Sequence, residues 1–119
     1  MNSSALIKAT LIGTLLQLAM VLTGHSNPSV AAMFAAGGMT ISLLAGVAYS
    51  VMARPATASS ALLGGLLAGG LCAFIGIVVS YLLGDVTAMI LVMGTASSAV
   101  TGAIGGWLGK LFAGKKATS

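Results

Sequence analysis

Apolar and small residues fill four long runs, almost free of charge, separated by three short breaks. The runs extend from Ala5 to Thr23, Val30 to Met52, Ser60 to Leu83 and Val86 to Phe112. A helix needs about twenty residues to cross ~30 Å of hydrocarbon, so each run has the length of one transmembrane helix. The breaks are Gly24-His25-Ser26-Asn27-Pro28-Ser29, Ala53-Arg54-Pro55-Ala56-Thr57 and Gly84-Asp85, and they carry the turn chemistry that the runs lack. Within the first break, Pro28 suits the opening position of a helix capped by Asn27. The pattern predicts an all-α membrane protein of four transmembrane helices, folded as a single membrane domain over residues 1–119.

Composition agrees with this reading. Hydrophobic residues make up 58% of the 119 and charged residues only 5%, at a mean hydropathy of +1.12, where soluble domains carry about a quarter of charged residues. Charge then orients the bundle. With four crossings, Lys8, Arg54, Lys110, Lys115 and Lys116 all fall on one side, and the other carries only Asp85 and the titratable His25. The positive-inside rule puts both termini and the middle loop in the cytoplasm, in an inner (plasma) membrane of bacterial type. The same bias argues against dual topology. The tail from Lys110 to Ser119 is expected at the cytoplasmic headgroups as a topology anchor. The net charge of +4 is scattered rather than gathered on one face, so nucleic acid is not an expected partner. The first run also has the lysine-then-apolar layout of a signal peptide, but no small-x-small cleavage site follows Leu22 directly, and it is read as a helix.

Sliding the chain on itself by 56 residues aligns the first helix pair with the second without a gap. Thirteen positions between 3 and 54 then match, among them Ser3/Ser59, Ala5/Ala61, Gly13/Gly69, Ala32/Ala88, Met33/Met89, Gly38/Gly94, Ser42/Ser98 and Gly46/Gly102. Composition alone would give roughly six matches. Two helices return the chain to its starting side, so repeat 1 (about 3–54) and repeat 2 (about 59–110) are expected in parallel orientation, as two tandem hairpins about an axis along the membrane normal.

Small residues recur at steps of four: Gly38, Ser42, Gly46 and Ser50 in the second run, Gly94, Ser98, Gly102 and Gly106 in the fourth. Such ladders form shallow grooves along one helix face. In lipid, where no hydrophobic force joins helices, close backbone approach along such grooves supplies the contact. The third run carries a similar series, Gly64, Ala68, Cys72, Gly76 and Ser80. A polar stripe of Thr10, Thr14 and Gln17 lies on one face of the first helix, and Thr95, Ser98 and Thr101 form a zone on the fourth. An amide in hydrocarbon must find partners, so these faces should point into protein or water, as interhelical contacts or as the lining of a polar path.

His25 and Asp85, on the opposite side from the lysines, are possible outer-mouth groups that could pair in a pH-sensitive way. A lone loop histidine is more commonly just solvated. Seven methionines have no histidine partners and read as flexible packing residues, and the single Cys72 reads as a small buried apolar group. Tyr49, Trp107 and Phe112 fall toward one interface and Tyr81 toward the other, as in an aromatic belt. Asn27-Pro28-Ser29 differs from the Asn-Pro-Ala box of water channels by one residue, occurs once and lies in a chain too short for that fold.

No acid, lysine or histidine lies in the middle of a run, which argues against ion-coupled transport, and the ionisable residues are too few to build a catalytic, metal or cofactor site. Three non-enzymatic functions remain. The first is a homo-oligomeric passive pore, since four short helices of small residues cannot enclose a channel alone. A holin-like lysis pore is a special case resting only on small size and a basic tail. The second is an accessory subunit docking a larger membrane partner, and the third a binding protein for lipid or another apolar ligand. The sequence favours the pore narrowly. It sets the lipid bilayer and self-association as the expected partners, with no cofactor.

Overall fold

The computed structural model describes residues 3–31, 33–55 and 57–113; Ala32 of the repeat and the tail lysines Lys115 and Lys116 lie outside the described residues. The chain forms α1 (Ser3–Ser26), α2 (Pro28–Ala31), α3 (Phe34–Ala53), α4 (Ala58–Leu82) and α5 (Ala88–Ala113). Four of these are long and apolar enough to cross a membrane, and they form an elongated bundle of 49 × 21 × 21 Å. Both prolines fall between the long helices, so every span keeps its backbone bonds inside the helix, as hydrocarbon requires.

Helix ends follow local chemistry. Asn27 Oδ1 accepts from the Ser29 N–H at 3.0 Å, which starts α2 at Pro28. The run read as Val30 to Met52 is not one helix, because Met33 sits in a turn between α2 and α3. Arg54 closes α3 in the left-handed region at φ 48°, its N–H donating to the Ser50 carbonyl, and Pro55 follows. Thr57 Oγ1 then accepts from the Ser60 N–H and opens α4. Beyond α4, Gly84 turns the chain at φ +82°, a conformation that glycine adopts without steric cost. Thr87 Oγ1 accepts from the Ile90 N–H at the start of α5.

The bundle is inverted in size relative to a soluble core. Ala5, Ala9, Ala45, Ala61, Ala68, Cys72 and Ala73 are buried, whereas Ile7, Leu11, Leu15, Leu82, Val92 and Phe112 are exposed. Large apolar side chains facing outward and small ones inward are what a hydrocarbon solvent selects. Tyr49 breaks the sequence expectation of an interfacial belt: it is 1% exposed, and its ring fills the notch that Gly64 leaves on α4.

The helices α3 and α4 occupy the middle, each packed on all three other long helices, while α1 and α5 make at most marginal contact with each other. Strict twofold equivalence of the two hairpins would set α1 against α5 as α3 is set against α4, so the hairpins pack unequally. Between α3 and α5, Gly46 faces Gly102 and the Ser50 hydroxyl donates to the Gly106 carbonyl.

Candidate functional site: a crevice at the Asp85 end

Close packing is concentrated toward the Arg54 end of the bundle. A Cβ at Gly102 would strike the Gly65 carbonyl, one at Gly106 the Ala61 carbonyl, and one at Gly105 the Leu43 carbonyl. The ladder residues Ser42, Gly46, Ser50, Ser98, Gly102 and Gly106 are buried there or midway, Gly38 is buried nearer the Asp85 end, and Gly94 is half-buried. From Ala88 to Ser97, by contrast, no residue of α5 is buried. In this stretch α5 carries Met89, Ile90, Val92 and Met93, all exposed, in place of a dense set of glycines.

A crevice of about 490 Å³ results at the Asp85 end. Its walls come from all four long helices: Gln17 and Met20 on α1, Gly38 and Met39 on α3, Ile77 and Ser80 on α4, Met93, Ser97 and Ser98 on α5. Phe34 and Asp85 also line it. The volume lies within the ~300–1,000 Å³ of small-molecule sites, and the mix of apolar walls with a few polar groups is the usual make-up of one.

Gln17 forms the polar floor. Its Nε2 donates to the Gly38 carbonyl at 3.2 Å and makes longer contacts to Ser42 Oγ at 3.5 Å and Cys72 Sγ at 3.9 Å. Ser42 Oγ and Cys72 Sγ in turn donate to the Gly69 carbonyl. The amide side chain fits because Gly76 opposite has none; a Cβ there would lie 2.8 Å from Gln17 Cβ. Higher in the crevice the Ser80 hydroxyl is buried and has no hydrogen-bond partner among the described residues.

The mouth is held by backbone geometry. The Gly84 N–H donates to Tyr81 O and the Asp85 N–H to Ser80 O, both at 3.0 Å, which folds Asp85 back over the end of α4. His25 belongs to the last turn of α1 rather than to a loop, and its Nδ1 donates to Asp85 Oδ2 at 2.9 Å. The pair ties α1 to the α4–α5 turn.

Of the residues singled out in the sequence as a polar path, the fold brings Gln17 and Ser98 into this crevice. Thr10, Thr14, Thr95 and Thr101 are half-buried and do not line it. The Thr10, Thr14 and Thr95 hydroxyls have no partner among the described residues, whereas Thr101 donates to the Ser97 carbonyl of its own helix. Sequence reasoning took Met20, Met39 and Met93 as packing residues only and Ser80 as part of a packing series. Nothing in the one-dimensional pattern marks these four as lining one crevice, because each stands on a different helix and only the packing of the bundle brings them together. Among the described residues no three His, Cys, Asp or Glu side chains lie together, so the groups present offer hydrogen bonds and apolar contact.

No protein-family model, curated protein or solved structure gives a significant match to the chain. The crevice is therefore read on its own chemistry.

Proposed function

We propose that the protein is a non-enzymatic integral membrane protein that binds an apolar molecule, drawn from the surrounding lipid, in the crevice at its Asp85 end. The observation that carries this reading is the crevice among the four long helices, lined by methionine, isoleucine and phenylalanine around a few polar groups. Methionine walls repack around ligands of different shape. The two hairpins serve this reading as a parallel repeat that has diverged in packing, with α5 buried at the Arg54 end and left largely exposed at the other. By the positive-inside rule the Arg54 end faces the cytoplasm and the crevice faces the outer leaflet. The test is native mass spectrometry of the protein released from membranes in mild detergent. A lipid-sized adduct lost in a Ser97→Phe variant supports the reading, and a bare protein under conditions that retain lipid on other membrane proteins overturns it.

A pore assembled from several copies is the second reading, favoured by the unpartnered Thr10, Thr14 and Thr95 hydroxyls. It requires a discrete ring of four or more subunits in the same spectra. A monomer or dimer removes it in its simple form.

A further inference from the structure

We infer that the crevice selects a cationic amphiphile, one apolar chain bearing a protonated amine, with the head between Asp85 and Ser80 and the chain against Met20, Ile77 and Met93. The inference rests on the crevice-binding reading above and adds the chemistry of the head group.

Among the described residues Asp85 is the only charged side chain that lines the crevice, and no lysine or arginine lines it. A phosphate or carboxylate head would meet a like charge with no lysine or arginine among the described lining residues to offset it, so anionic lipids are disfavoured. An ammonium head gains the carboxylate directly. The Asp85 side chain is 23% exposed, shielded enough for charge to count and open enough to be reached. His25 engages Oδ2 from the outside, and a carboxylate accepts at two oxygens, so capacity remains for a second donor.

Ser80 is the independent observation. Its residue is 1% exposed, it lines the crevice, and its hydroxyl has no partner among the described residues. A buried hydroxyl without a partner is costly in an apolar setting, and a ligand N–H aimed at its oxygen relieves that cost. The Asp85 N–H bond to the Ser80 carbonyl fixes the two residues beside each other, so one head group with several donors can address both. The walls below are apolar and suit a hydrocarbon chain. The protein's overall charge of +4 works against cations, so any preference for an amine must come from the site.

The test uses the full chain in nonionic detergent with three probes of one chain length: dodecylamine, dodecanol and dodecanoate. Their binding is compared by titration calorimetry and by adducts in native mass spectra. Dodecylamine is expected to bind about tenfold or more tightly than dodecanol, with dodecanoate weakest. Asp85→Asn should reduce dodecylamine to the level of dodecanol, and Asp85→Glu should restore the preference. Ser97→Phe, a change at an exposed position on the wall, should weaken all three. Equal binding of amine and alcohol, both lost in Ser97→Phe, overturns the selectivity while leaving the crevice reading in place. Absence of binding by every probe, or binding indifferent to Ser97→Phe, overturns both.

Discussion

Gln17 sits where three helices converge, with its amide on the backbone of α3 and its longer contacts reaching Ser42 on α3 and Cys72 on α4. Interhelical hydrogen bonds in membranes average ~0.6 kcal/mol and reach ~1.7, because the separated helices find other partners in lipid. Gln17→Leu is therefore expected to destabilise the bundle by about 1–2 kcal/mol, read as a lower midpoint in urea or SDS unfolding in detergent. An unchanged midpoint would show that the amide serves the crevice and not the packing. Gln17 was legible in the sequence because an amide inside a long apolar run must find a partner. Tyr49 was not: a tyrosine near a helix end reads as an interfacial group, and only the missing side chain of Gly64, 15 positions along the chain from it, gives its ring a place inside. Gly64→Leu should displace that ring and cost about 1–3 kcal/mol in the same assay.

At the scale of helices, the small-residue steps anticipated the buried faces of α3, α4 and the second half of α5. The reason is physical: in lipid the groove itself is the attraction, so its residues announce it. The step of four says nothing about where the side chains of four helices leave space between them, and that is why the crevice was invisible before folding. Gly102 marks the closest approach, since a Cβ there would meet the Gly65 carbonyl and lie 2.8 Å from Gly69 Cα. Both are backbone and cannot swing aside. Gly102→Val should separate α4 from α5 and lower stability by about 2–3 kcal/mol, whereas Gly94→Ala, which meets only the flexible end of Ile77, should cost far less. A comparison of the two in one unfolding series decides whether the Arg54 half holds the bundle. Comparable losses would deny it.

For the whole molecule, the charge pattern predicts that Thr57 and Ser26 lie on opposite sides of the membrane. In a Cys72→Ser background, Ser26→Cys should react with an impermeant maleimide applied to intact cells, and Thr57→Cys only after the cells are opened. The reverse labelling would invert the orientation and turn the crevice toward the cytoplasmic leaflet. The sequence supports an expectation of this kind because translocation reads lysine and arginine directly from the chain. The unequal packing of the two hairpins is not, since the same 56-residue register fits a symmetric bundle as well as this one.

The size inversion of the core also sets how the protein tolerates change. In a soluble domain, hydrophobicity predicts which positions resist substitution; here the exposed surface of the spans is as hydrophobic as the core, and the scale loses its power. Side-chain volume takes over. Positions such as Leu11, Leu15 and Val92, which face lipid, should accept any large apolar residue, while Ala9, Ala68 and Gly102 should reject all of them. A saturation scan scored by membrane abundance would then rank tolerance by the bulk of the native residue, with glycine and alanine as the most constrained letters in the chain.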